Sequence, residues 1–151
     1  DTDPDTPNKE FAPDGWHVSS DAEWTTLVEY LIANGYNYDG TITENKLAKS
    51  MASTTGWNTS TDLGAVGNDQ SANNRSGFNA FPEGLRYFDG SFNSEGGNAV
   101  FWSSTEDDSN SALGNNLVGE NDPNGSFTDG GFQMGYLHDK HFGLSVRFVR
   151  D

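Results

Sequence analysis

The sequence predicts a mixed α+β fold in which helices come first and strands follow. Three observations carry this. Helical periodicity is confined to the first third of the 151 residues; short apolar runs separated by Gly, Asn and Ser fill the rest; and 13% of residues are aromatic although only 32% are hydrophobic. Runs of helices followed by runs of strands point to α+β rather than to alternating βαβ units. A chain this long buries one core, not two, and rings are expected to make up much of it.

Residues 1–13 (DTDPDTPNKEFAP) hold three of the five prolines and alternating aspartates. They read as an extended linker or N-terminal arm, with the domain proper at 14–151. The Asp1-x-Asp3-x-Asp5 spacing resembles a calcium loop but lacks the glycine and distal glutamate of an EF-hand. Trp16-His17-Val18 is a strand candidate. Ser20-Asp21-Ala22-Glu23 then forms a capping box, after which Trp24, Leu27, Val28 and Leu31 recur at helical spacing, and Asn34-Gly35 ends the helix. A second helix is predicted from Thr43, burying Leu47, Ala48 and Met51 and stopping before Gly56. Strands are predicted at Phe78–Phe81, Ala99–Ser103, Phe132–Leu137 and Gly143–Val149. In the last, Leu144, Val146 and Phe148 alternate with Ser145, Arg147 and Val149 as if one side were buried. Thr105–Gly131, with five glycines, six acids and no Lys or Arg, reads as a long polar loop of the kind that carries function.

The chain has 8 basic and 23 acidic residues, a net charge of −15. Such a chain is repelled by phosphate backbones and anionic lipid, so no nucleic-acid partner is expected. No segment suits membrane insertion, and no signal peptide is evident. Starting at Asp1, the chain reads as a mature fragment or a piece of something longer. Cysteine is absent, which excludes thiol catalysis, zinc-thiolate sites and disulfides. His138-x-x-His141 lacks the carboxylate of a zinc motif such as H-E-x-x-H, and His17 reads as a hydrogen-bonded core residue. No nucleophile elbow, P-loop or dinucleotide fingerprint appears, and the chain is expected not to be an enzyme.

Five segments taken together resemble a known family. They are Gly15-Trp16-His17-Val18-Ser19-Ser20-Asp21-Ala22-Glu23-Trp24, Gly77-Phe78-Asn79-Ala80-Phe81-Pro82-Glu83-Gly84-Leu85-Arg86, Asp89-Gly90-Ser91-Phe92, Phe101-Trp102-Ser103-Ser104-Thr105-Glu106 and Gly143 through Asp151 (GLSVRFVRD). They look like the Fibrobacter succinogenes major paralogous domain (FISUMP), common in secreted and surface proteins of Bacteroidetes-like bacteria. That family is similar to C-type-lectin-like domains and, more remotely, to formylglycine-generating enzymes. The resemblance implies two helices packed on a twisted antiparallel sheet with long loops, adjacent chain ends, a secreted or cell-surface location, and neighbouring domains on the same polypeptide. The family often carries a cysteine pair where this chain has Ala12 and Phe148. The enzymes in question use cysteines, which this chain lacks, so fold transfers and activity does not.

Calcium is the one candidate cofactor. In Glu120-Asn121-Asp122-Pro123-Asn124, the oxygens of Glu120, Asp122 and Asn124 are the candidate metal ligands, since hard oxygens suit calcium. The stretch resembles the calcium loop of C-type lectins in composition but not in order, and a plain polar turn is the alternative. Glu106, Asp107 and Asp108 are possible helpers. The candidate ligand-binding residues are Trp57, Tyr87, Glu106, Asp122 and Asn124, rings beside amides and carboxylates suiting sugar C–H faces and hydroxyls. For Glu106 the competing expectation is an internal ion pair, with Arg86 and Arg147 lying in other motifs. The expected role is a non-catalytic recognition module for a glycan or a surface protein. Recognition is expected on the loop face formed by Asn58–Arg75 and Thr105–Gly131. The alternative is a structural spacer or tip domain of an adhesin or filament.

Overall fold

The computed structural model describes residues 11–119 and 131–151. In chain order the elements are strand β1 (Trp16–Val18), helix α1 (Asp21–Ala33), a one-turn helix α2 (Ala48–Met51) and a 3-10 turn (Gln70–Ala72). Strands β2 (Leu85–Arg86), β3 (Phe92–Asn93), β4 (Asn98–Glu106), β5 (Ser111–Val118), β6 (Phe132–Asp139) and β7 (Phe148–Arg150) follow. They form three antiparallel sheets: β1–β7, β2–β3 and the meander β4–β5–β6. Isolated bridges at Gly84–Ala99, Arg86–Gly143 and Phe101–Ser145 link β2 and β4 to each other and to the 143–145 segment that leads into β7.

Helix α1 forms as its sequence dictates. Ser20 accepts from the Glu23 amide while its own amide donates to the Glu23 carboxylate, at 3.4 and 2.8 Å. Trp24, Val28 and Leu31 are the buried stripe, and Asn34 closes the last turn through the Tyr30 carbonyl. The helix lies on β4 and β6. There the Trp24 ring meets Phe78, Phe101 and Phe132 at 5.7, 5.8 and 5.7 Å, and Leu47, Met51 and Leu117 are wholly buried in the same core. The core is therefore built round rings, as the composition requires.

Arg147 completes it in an unforeseen way. Its guanidinium sits over Phe78 at 4.6 Å and Phe101 at 5.7 Å, and Nη2 donates to the carbonyls of Phe78 and Asn79 at 2.9 and 3.3 Å. The expected alternation of the last strand is overturned: Arg147 is half-buried over the rings, and Phe148 is exposed.

Three other expectations are corrected. The second helix is a single turn beginning at Ala48, not at Thr43. The chain before it is held by buried Asn37, whose Nδ2 donates to the carbonyls of Thr41, Thr43 and Glu44 and whose Oδ1 accepts from the Lys46 amide. Phe78–Phe81 is not a strand, because Asn79 adopts φ +57° and only Ala80 bridges, to Ala52. Within the supposed long polar loop lies β5, the central strand of the meander. The Asn58–Arg75 stretch is tied to the core at several points. Ala65 and Val66 are buried, Asn73 Nδ2 bonds the carbonyls of Ser53 and Val66, and the buried Lys49 ammonium bonds those of Ala65, Asn68 and Asp69. Burial lowers the Lys49 pKa.

Candidate functional site

The β2–β3 hairpin builds a concavity on the surface. Its turn is set by Asp89, whose Oδ1 accepts from the Ser91 amide and hydroxyl at 2.9 and 2.7 Å. Those two donors, hydroxyl first, lower the Asp89 pKa. Gly84 enters the hairpin at φ +66°, and a Cβ there would overlap the Asn93 carbonyl oxygen, so the position requires glycine. On the other side, Arg86 and Gly143 exchange two backbone hydrogen bonds of 2.8 Å. The 143–145 segment continues onto β4, where Ser145 accepts from the Trp102 amide at 2.9 Å.

The resulting hollow, of about 460 Å³, is lined by Glu83, Arg86, Phe92, Glu95, Leu144 and Ser145 among others. Phe92 is 77% exposed and Phe88, in the adjacent turn, 73%. Phe88 stacks on Phe142 at 6.4 Å, and Tyr87 meets the same ring edge-on at 5.2 Å. In the hollow the Phe92 ring thus stands beside two exposed carboxylates and one guanidinium, a surface suited to a ligand with an apolar face and hydrogen-bonding or cationic groups.

A second groove, of about 640 Å³, runs beside the paired chain ends. Trp24, Leu27, Tyr30, Phe78, Phe148 and Val149 supply its mainly apolar wall. At its rim His17 holds two carboxylates, Nε2 to Glu23 and Nδ1 to Asp151, both at 2.7 Å. Hydrogen bonding to Glu23, then to Asp151, raises the His17 pKa. His17 is hydrogen-bonded as expected, but at the surface rather than in the core.

The family model of the Fibrobacter succinogenes major domain matches residues 4–150. The chain belongs to that family. No curated protein and no solved structure matches it.

The segments that signalled the Fibrobacter major domain mostly build its scaffold. Trp24, Phe78, Phe101 and Arg147 come from four of them and converge in the core. The expected ion pair of Glu106 with Arg86 or Arg147 is corrected. Glu106 instead pairs at the surface with Lys140, at 2.7 Å, and that ammonium also bonds the Asp108 carbonyl at 2.7 Å.

The candidate residues are dispersed. Trp57 is only 4% exposed; its indole donates to Ser53 Oγ at 3.1 Å, and its backbone is clasped by Gln70. Tyr87 is half-buried beside the hairpin hollow, and Glu106 ends β4. Glu120, Asp122 and Asn124 lie outside the described residues. Asp108 is occupied by the Ser111 hydroxyl and by the amides of Asn110 and Ser111, which, hydroxyl first, depress its pKa. Among the described residues no group of three or more His, Asp or Glu side chains gathers where it could hold a metal ion. His138 is buried against Trp102, where burial lowers its pKa, whereas His141 is exposed and bonds Asp139. Glu83, Phe88, Phe92 and Glu95 were not among the expected site residues. Their sequence signal was the Asp89-Gly90 turn with rings on both sides, which marks a hairpin presenting aromatic side chains.

Proposed function

We propose that this Fibrobacter major domain is a non-catalytic extracellular recognition module of C-type-lectin-like architecture. It binds a neutral or cationic ligand, a glycan in the first instance, in the hollow beside the β2–β3 hairpin. One observation carries the reading: Phe92, 77% exposed, shares one concavity with Glu83, Glu95 and Arg86, and Phe88 is exposed in the adjacent turn. Exposed rings cost solubility, and on a rigid scaffold they mark a binding surface. The net charge of −15 steers cationic ligands in and keeps polyanions out.

The test is a glycan array probed with the wild-type domain, Phe92→Ala and the double variant Glu83→Gln/Glu95→Gln. The expected result is binding by wild type that Phe92→Ala reduces at least tenfold, with the melting temperature unchanged. Binding that survives both variants undiminished overturns the assignment of the hollow. The alternative, a spacer or tip domain of an adhesin, is favoured by the apolar groove beside the paired chain ends, where a neighbouring domain would pack. That reading expects Leu27→Glu to weaken attachment and Phe92→Ala to leave it intact.

A further inference from the structure

Beneath the first turn of α1, three buried polar atoms have no hydrogen-bond partner in the protein: Asp21 Oδ1, Trp24 Nε1 and Asn115 Nδ2. Most buried polar groups in folded proteins are partnered, so each orphan calls for an explanation. Shared neighbours bring the three together. Asp21 and Trp24 are three residues apart on α1 and share a face. Asn115, wholly buried in β5, stands opposite Phe101 of β4, and the Phe101 ring is in contact with Trp24 at 5.8 Å. Gly135 of β6 closes the set. Its amide donates to Asn115 Oδ1 at 3.3 Å, and a Cβ on it would come within 3.8 Å of Asp21 Oδ1. The Gly135 amide also fixes the orientation of the Asn115 carboxamide, because Nδ2 cannot accept a hydrogen bond. The irregularity in the β5–β6 register falls between Gly114 and Asn116, at the residue that turns its amide inward.

We propose that a single resident water sits here, accepting from Trp24 Nε1–H and Asn115 Nδ2–H and donating to Asp21 Oδ1. The donor–acceptor balance selects the ligand. Two N–H groups repel a metal cation or an ammonium, which can accept nothing, and a halide has no proton to give the carboxylate. Water meets all three demands and is the usual bridge between buried groups of this kind. It ties the start of α1 to the central strand of the meander.

The test uses the isotopically labelled wild-type domain and reads nuclear Overhauser transfer from water to each indole N–H. Trp57, whose indole bonds Ser53, serves as the dry control, and exposed Trp16 as the fast-exchanging one. The expected result is a cross-peak at the Trp24 indole with the sign of a long-lived water. In Asp21→Ala, the exchange of that indole proton with solvent should speed up at least tenfold. A wild-type Trp24 indole with no transfer from water overturns the proposal, and this holds even if the variant does not fold.

Discussion

Arg147 gives the sharpest test of how the core is held. Arg147→Met keeps an apolar stem of similar reach while removing the charge above Phe78 and Phe101 and the donor to two backbone carbonyls. A partly desolvated cation over a ring is worth about 0.5–2 kcal/mol, and hydrogen bonds from a charged donor about 1.5–3 kcal/mol. Among the described residues no carboxylate pairs with Arg147 and is left alone by the change, and relief of the burial that lowers the Arg147 pKa returns part of the loss. The net expectation is destabilisation by about 2–4 kcal/mol, or about 5–15 °C in melting temperature for a chain of this length. Arg147→Lys, which keeps charge but loses the planar fork, should fall between the two. Urea denaturation followed by tryptophan fluorescence measures it. If Arg147→Met unfolds within about 0.5 kcal/mol of wild type, as a neutral surface change would, the guanidinium is a bystander and the ring stack stands without it.

Gly84→Ala should destabilise by about 3 kcal/mol or more, from left-handed backbone strain plus overlap with Asn93, read by the same denaturation. Lys49→Met removes the ammonium that binds three loop carbonyls and should cost about 1–3 kcal/mol; thermolysin should then cut near exposed Leu63, where wild type resists. For His17 the folded pKa is raised above its ordinary 6.5, so its contribution is complete below that pH and is lost as pH rises through the folded value. His138, with a lowered pKa, acts in the opposite sense, losing stability as pH falls below 6.5. His17→Gln should therefore flatten the stability–pH curve above pH 6.5. If the calcium expected from Glu120, Asp122 and Asn124 binds, a hundredfold excess over its Kd should add about 2.7 kcal/mol, so melting curves in calcium and in chelator should differ by several degrees; superimposable curves rule it out as a cofactor.

How legible the fold was depended on whether local and tertiary forces agreed. Helix α1 could be read to the residue at both caps because capping chemistry and a 3.6-residue stripe coincide at Ser20–Asn34. At Leu47, Ala48 and Met51 the spacing was right and the length wrong. The carbonyls that a longer helix would need are taken by the Asn37 side chain, only four to seven residues upstream, a local competition that a reading of apolar spacing alone passes over. Strand β5 escaped because its buried positions include Gly114 and Asn115, residue types depleted in strands; Gly114 leaves room for the His138 ring, and Asn115 lies opposite Phe101. Arg147 read as outward because charge implies solvent; only the rings of Phe78 and Phe101, contributed from elsewhere, make an inward arginine favourable. The hollow was half legible: its turn lay in a recognised segment, but which rings stay exposed is decided by the 142–145 segment packing behind them.

The pairing of β1 with β7 has a mechanical consequence. Trp16 pairs with Arg150 and Val18 with Phe148, and the Asp151 amide donates to the Gly15 carbonyl at 3.0 Å. Both ends of the chain leave from the same end of this ladder. Tension applied between them loads its rungs one at a time, starting at Gly15–Asp151, instead of shearing all of them together. Stretched in series, the domain would peel open at low force; grafted as a side loop into a neighbour, it would feel almost no pull, because entry and exit points lie a hydrogen bond apart.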